Sequence, residues 1–124
     1  MTPVLRWILS FEAAAFYSAA LLHAGVLARG YEHQQAATAE TVIGSVLLAG
    51  ALLTLVAPGV SRGVALAVQA FALLGTCVGL VMIAIGVGPR SGVDYAIHAV
   101  FVAALVSGLA LAWRGEVTGP ARHA

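Results

Sequence analysis

GVALAVQAFALLGTCVGLVMIAIGVGP, residues 63–89, contains no Asp, Glu, Lys, Arg or His. A helix rising 1.5 Å per residue needs about 20 such residues to cross the hydrocarbon core of a bilayer. A crossing segment must satisfy its own backbone polar groups, so the stretch predicts a helix. It is too long and too uniformly apolar for a strand of a membrane barrel, which alternates apolar and polar residues.

Outward from this stretch, three further apolar runs appear. The predicted spans are residues 3–28, 38–57, 63–87 and 92–113. The links between them are short, about 29–37, 58–62 and 88–91, and short links force antiparallel neighbours. The expected fold is all-α: one membrane domain over residues 1–124, an up-down-up-down bundle of four transmembrane helices. Composition agrees. Hydrophobic residues are 61% of the chain and charged residues 9%, whereas a soluble domain carries about 25% charged residues. A lone water-soluble globule and a disordered chain are both excluded.

Local signals mark the ends. Thr2-Pro3 reads as an N-cap and first helical position. Pro58-Gly59 stops the second span, and Ser61 is positioned to cap the third. Gly86, Gly88 and Pro89 end that span. Ser91 and Asp94 form a capping box for the fourth. A cleaved leader, with Ala37-Thr38-Ala39 as the cut, is disfavoured by the polar stretch 29–35 before that site and by the length of the apolar run.

Arginine placement sets the expected orientation. Arg6, Arg62, Arg114 and Arg122 share one side, Arg29 and Arg90 the other, and there is no Lys. The positive-inside rule then puts both termini in the cytoplasm, in a multi-pass protein of the cytoplasmic (inner) membrane. Trp7, Tyr31, Tyr95 and Trp113 lie at span ends, where interfacial aromatic residues belong.

Several function classes receive no support. Basic runs are missing, so no nucleic-acid partner is expected. HExxH, GxSxG, GxxxxGK[ST] and GxGxxG are all absent, leaving motif-marked zinc, serine and nucleotide sites without a signal. The single Cys77 excludes an intrachain disulfide and reads as a small buried hydrophobe.

The ionisable residues within the spans are the informative ones. Glu12 lies about 14 Å into the first helix by the helical rise. An acid facing lipid there costs about 2.5–3.5 kcal/mol, so it is expected to face the bundle interior. Gln69, at similar depth in the third span, is the expected partner, with Arg6 the alternative. Glu12 and His23, eleven residues apart, lie on one helical stripe with Ala15, Phe16 and Ala19.

His23 and His98 fall at the same level near the end opposite the termini. Asp94 lies one turn from His98 on the same face, and Glu40 sits in the first turn of the second span. His33 and Tyr95 are nearby. This His23–Glu40–Asp94–His98 constellation has three chemical readings. Imidazole and carboxylate together suit a divalent metal. His23 and His98 on facing helices could ligate one b-type haem axially. The set also suits a proton-responsive or cation pocket. Against these stands a structural set without a cofactor, in which Asp94 caps its helix and Glu40 meets a helix dipole.

Small residues recur at four-residue spacing: Ala15/Ala19, Ala20/Ala24, Gly75/Gly79 and Ala104/Gly108/Ala112. Such spacing lets helices approach closely, within the bundle or between copies. The segment 69–90, mainly AFALLGTCVGLVMIAIGVGPR, resembles that of small uncharacterised four-helix integral membrane proteins of bacteria. The resemblance implies the fold and brings no activity with it. The expected function is therefore that of a non-enzymatic membrane subunit or self-associating bundle with a polar pocket at its extracytoplasmic end. The expected partners are the lipid bilayer and further copies or other membrane subunits, with no nucleotide. A haem- or metal-binding redox protein and a small oligomeric transporter or channel are the alternatives.

Overall fold

A computed structural model describes residues 2–115, which form four helices: α1 (Thr2–His23), α2 (Gln34–Val56), α3 (Ser61–Ala84) and α4 (Gly92–Arg114). A 3-10 turn, Pro58–Val60, runs directly into α3. No strand occurs among the described residues. All four helices are long and apolar enough to cross a membrane. Arg122, counted above in the charge bias, lies outside the described residues.

Burial is inverted relative to a soluble bundle. Trp7 is 75% and Val56 80% exposed, whereas Glu12 is 3% and Gln69 0% exposed. Water would reverse that order; a hydrocarbon surround explains it, because apolar side chains lose nothing by facing lipid and polar ones must be satisfied inside. The inward stripes run at helical spacing: Leu5, Leu9, Glu12, Phe16, Ala19 and His23 on α1, and Ser61, Ala65, Gln69, Ala72 and Thr76 on α3.

α1 packs most extensively on α2, α3 on α4, and α2 on α3, while α1 meets α4 and α3 more sparingly. Glycines set the close approaches. A Cβ at Gly75 would stand 2.8 Å from Ile43 Cδ1, and one at Gly50 2.9 Å from Val68 Cγ2. Gly75 and Gly79 thus both serve contacts inside the bundle, Gly79 lying against His98. On the outer part of the α1–α2 seam, Tyr17 donates to Ser45 Oγ at 2.7 Å, since the Ser45 proton is given to the Thr41 carbonyl.

Several ends differ from the sequence reading. The first span was expected to continue to residue 28, but α1 stops at His23. Gly25 adopts φ +75, with Gly25 N–H on the Leu22 carbonyl and Val26 N–H on the Leu21 carbonyl. This is a Schellman motif, which terminates a helix whatever the hydropathy beyond it. Gly86, φ +88, ends α3 in the same way, Val87 N–H reaching the Met82 carbonyl. α2 begins four residues earlier than expected because His33 is its N-cap, Nδ1 accepting from Ala36 N–H at 3.2 Å. Ser61 does not cap α3. Its backbone is already helical (φ −52, ψ −39) after the 3-10 turn, and a capping side chain needs an extended backbone beneath it. Cys77 is exposed on the outward face of α3 rather than buried.

The two ends of the bundle are fastened differently. At the end bearing the termini, arginines satisfy helix C-terminal carbonyls. Arg6 Nη2 donates to the Thr54 carbonyl at 3.2 Å, and Arg62 Nε to the Ala112 carbonyl at 3.0 Å. Orphan carbonyls in a helix's last turn attract cations both as acceptors and through the dipole. Arg6 is therefore engaged with α2 and is not the partner of Glu12.

Candidate functional site

At the opposite end, the last residue of α1 sits between two acids. His23 Nδ1 stands 2.7 Å from Glu40 Oε2 on α2, and Nε2 stands 2.8 Å from Asp94 Oδ1 on α4. All three side chains are buried. Local structure places each of them. The Schellman turn stops α1 at the level of the acids. His33 N–H donates to the His23 carbonyl at 2.8 Å, which holds the start of α2 against the end of α1. Asp94 is fixed by the capping box, its Oδ2 accepting from the Ser91 N–H at 2.7 Å and from the Ser91 hydroxyl. The box leaves Oδ1 for His23.

The chemistry of this triad follows from donor counting. A carboxylate only accepts. Either an imidazolium donates from both ring nitrogens, or one carboxyl keeps a proton and donates it to the ring. In each case three buried groups from three helices share protons. Burying such a set is costly unless geometry is good and every group is paired, and here both ring nitrogens are paired at hydrogen-bonding distance.

His98 is at the same end but turned elsewhere. Its Nδ1 donates to the Asp94 backbone carbonyl at 2.8 Å, one turn back on its own helix. Its Nε2 points toward Gly79 on α3, where a Cβ would lie 3.0 Å away. The structure thus brings His23, Glu40 and Asp94 side chains together and directs His98 into an adjoining cavity of about 400 Å³, lined also by Glu40, Phe16, Phe101 and Thr76. The Phe16 and Phe101 rings stack beside it, centroids 4.0 Å apart. Tyr95 is half exposed and takes no part.

A second polar contact lies nearer the other end. Gln69 Nε2 donates to Glu12 Oε1 and Oε2, each at 3.1 Å. Gly108 on α4 makes room for it: a Cβ there would overlap Gln69 Nε2 and stand 2.8 Å from Glu12 Oε1. Gln69 Oε1 is buried without a hydrogen-bond partner among the described residues.

Sequence reasoning passed over Gly108 and Thr76 as site components. Thr76 completes the buried stripe of α3 at the same spacing as Ser61, Ala65, Gln69 and Ala72, so its inward position was readable there. The role of Gly108 needed the depth of a residue pair on two other helices.

Whether these donors suit a metal or haem is a question of which nitrogens are free. Bis-imidazole ligation needs one on each of two facing rings, and both nitrogens of His23 are spent on carboxylates. Among the described residues no group of three or more His, Cys, Asp or Glu is arranged to hold a metal ion. The chain matches no protein-family model, no curated protein and no solved structure.

Proposed function

We propose that this chain is a non-enzymatic integral protein of the bacterial cytoplasmic membrane. It acts as a small subunit or self-associating bundle, with both termini in the cytoplasm and its His–carboxylate cluster at the extracytoplasmic end. The observation that carries the reading is His23, held through both ring nitrogens by acids of α2 and α4. Such a network ties three helix ends together and leaves the apolar outer faces as the surface offered to lipid and to partner helices. The arginine bias supports the orientation.

Native mass spectrometry of the protein released from nanodiscs, with reporter fusions at each terminus, tests this. Defined oligomers or co-purifying membrane chains, and a cytoplasmic reporter signal at both ends, are the expected results. A solitary monomer at membrane-like concentrations would overturn the subunit reading, and an external C-terminus the orientation. An absorption spectrum of the same material tests the haem alternative, for which a Soret band is required.

A further inference from the structure

The loop end of the 400 Å³ cavity is lined by His33 at the start of α2 and by Val87, Gly88 and Pro89 after α3. One side chain bridges these two walls. His33 Nε2 donates to the Val87 carbonyl at 3.2 Å, across 54 positions of sequence. Among the described residues, no other hydrogen bond joins the α1–α2 loop to the α3–α4 loop.

The same ring caps α2. Ala36 N–H donates to His33 Nδ1 at 3.2 Å. Donor counting therefore fixes the proton of this histidine. A backbone N–H only donates, so Nδ1 is bare; a carbonyl only accepts, so Nε2 carries the hydrogen. Both bonds require the neutral ring in that one tautomer. Protonation would add a hydrogen at Nδ1, pointed at the Ala36 N–H. Two donors cannot share that position, so the ring must turn, and Nε2 leaves the Val87 carbonyl with it. His33 is partly exposed, so the proton is exchanged with solvent.

The charged and titratable groups around it are otherwise engaged or turned elsewhere. In its own loop, beside Arg29 and Tyr31, Glu32 is folded back onto Gly30 N–H at 2.7 Å. Arg90, after α3, lies over Gly86. His23 on α1, Glu40 on α2 and Asp94 on α4 bond one another, and His98 bonds the Asp94 carbonyl. None of these side chains forms a hydrogen bond with the His33 ring.

We propose that His33 is a proton-released latch. Neutral, it holds the first turn of α2 to the α3–α4 turn and closes the loop end of the cavity; protonated, it lets the two walls part. Histidine is the side chain that changes charge near neutral pH. This goes beyond the subunit reading and does not depend on it.

Two measurements on the full-length protein in phosphatidylcholine nanodiscs test the latch. The first is ring nitrogen NMR of protein labelled with ¹⁵N-histidine, the His33 signals being those missing from His33→Asn. At pH 8 they should report the Nε2–H tautomer; an Nδ1–H tautomer or an imidazolium there would overturn the proposal. The second places spin labels at Gln34→Cys and Gly92→Cys, both exposed positions, with Cys77→Ser. Between pH 8 and pH 5 the population at longer inter-label distance should rise about three- to ten-fold, the weight of one net hydrogen bond. Asn is a good N-cap that does not titrate, so adding His33→Asn should make the distances the same at both pH values. A parent protein whose distances ignore pH would overturn the latch. So would a His33→Asn protein of unchanged circular dichroism that keeps the full pH response, which would move the sensor to the His23 cluster. Neither measurement reads oligomeric state, so their failure is distinguishable from failure of the subunit reading.

Discussion

His23 Nε2 and Asp94 Oδ1 stand 2.8 Å apart, joining the last residue of α1 to the first turn of α4. Asp94 serves two elements at once, since its other oxygen closes the capping box with Ser91. Asp94→Ala therefore removes a cap, worth about 1 kcal/mol, and strands a buried ring nitrogen, worth about 1–3 kcal/mol. Ser91→Ala removes cap bonds alone. In detergent unfolding titrations, Asp94→Ala should be the more destabilising by about 1–3 kcal/mol. Equal losses for the two variants would show that the His23 bond contributes nothing.

Removing the imidazole should be worse than removing either acid. His23→Phe fills a similar volume but leaves Glu40 and Asp94 buried and without their shared partner. Breaking a buried ion pair from one side costs about 3–5 kcal/mol. Adding Glu40→Leu and Asp94→Asn to His23→Phe should restore most of that loss, because the triple variant leaves no unmatched charge. The thermal midpoints of the single and triple variants in nanodiscs decide it; a single variant as stable as the parent would contradict the assigned contacts.

How far the sequence carries can be seen residue by residue. Hydropathy and short links were enough for four antiparallel helices, because in lipid those two features leave few alternatives. The Ser91–Asp94 capping box and the depth match of Glu12 with Gln69 were also readable, since both depend on spacing alone. What was not readable depends on backbone dihedrals and rotamers. Val26, Leu27 and Ala28 look like more of span one, yet Gly25 at φ +75 has already turned the chain. His23 and His98 share a level, but the bond from His98 Nδ1 to its own helix rotates the ring toward α3. Periodicity assigns a face to a residue; it does not say which neighbour on that face the side chain meets.

Gly108 offers a test of close packing. A methyl group there would overlap Gln69 Nε2 and press on Glu12 Oε1, so the polar pair must shift or break. Overpacking of this kind costs about 1–3 kcal/mol. Gly59→Ala is the control, since a Cβ there meets nothing within 4 Å. Unfolding in mixed micelles should separate the two variants, with Gly108→Ala destabilised and Gly59→Ala near the parent. Similar behaviour of both would mean that the helix α4 backbone does not approach the Glu12–Gln69 pair as closely as described.

The Glu12–Gln69 pair makes the least obvious prediction, because it is incomplete as it stands. One amide nitrogen serves both carboxyl oxygens, while Gln69 Oε1 is buried with no donor facing it. Glu12→Gln supplies an N–H₂ group of nearly the same shape. Its carbonyl can accept from Gln69 Nε2 while its own nitrogen donates to Gln69 Oε1, giving a reciprocal amide pair. One further net hydrogen bond is worth about 0.5–1.5 kcal/mol. Glu12→Gln should therefore be as stable as the parent or more so. Glu12→Leu should be destabilised by about 1–3 kcal/mol, because both ends of the Gln69 amide are then buried without partners. Adding Gln69→Leu to Glu12→Leu should recover that loss, since removing both partners leaves nothing unsatisfied. The series is read by thermal unfolding in nanodiscs of fixed lipid composition. A Glu12→Gln protein clearly weaker than the parent would mean that the carboxyl group has a role the hydrogen-bond geometry does not reveal, and would move Glu12 from the structural core to the list of functional residues.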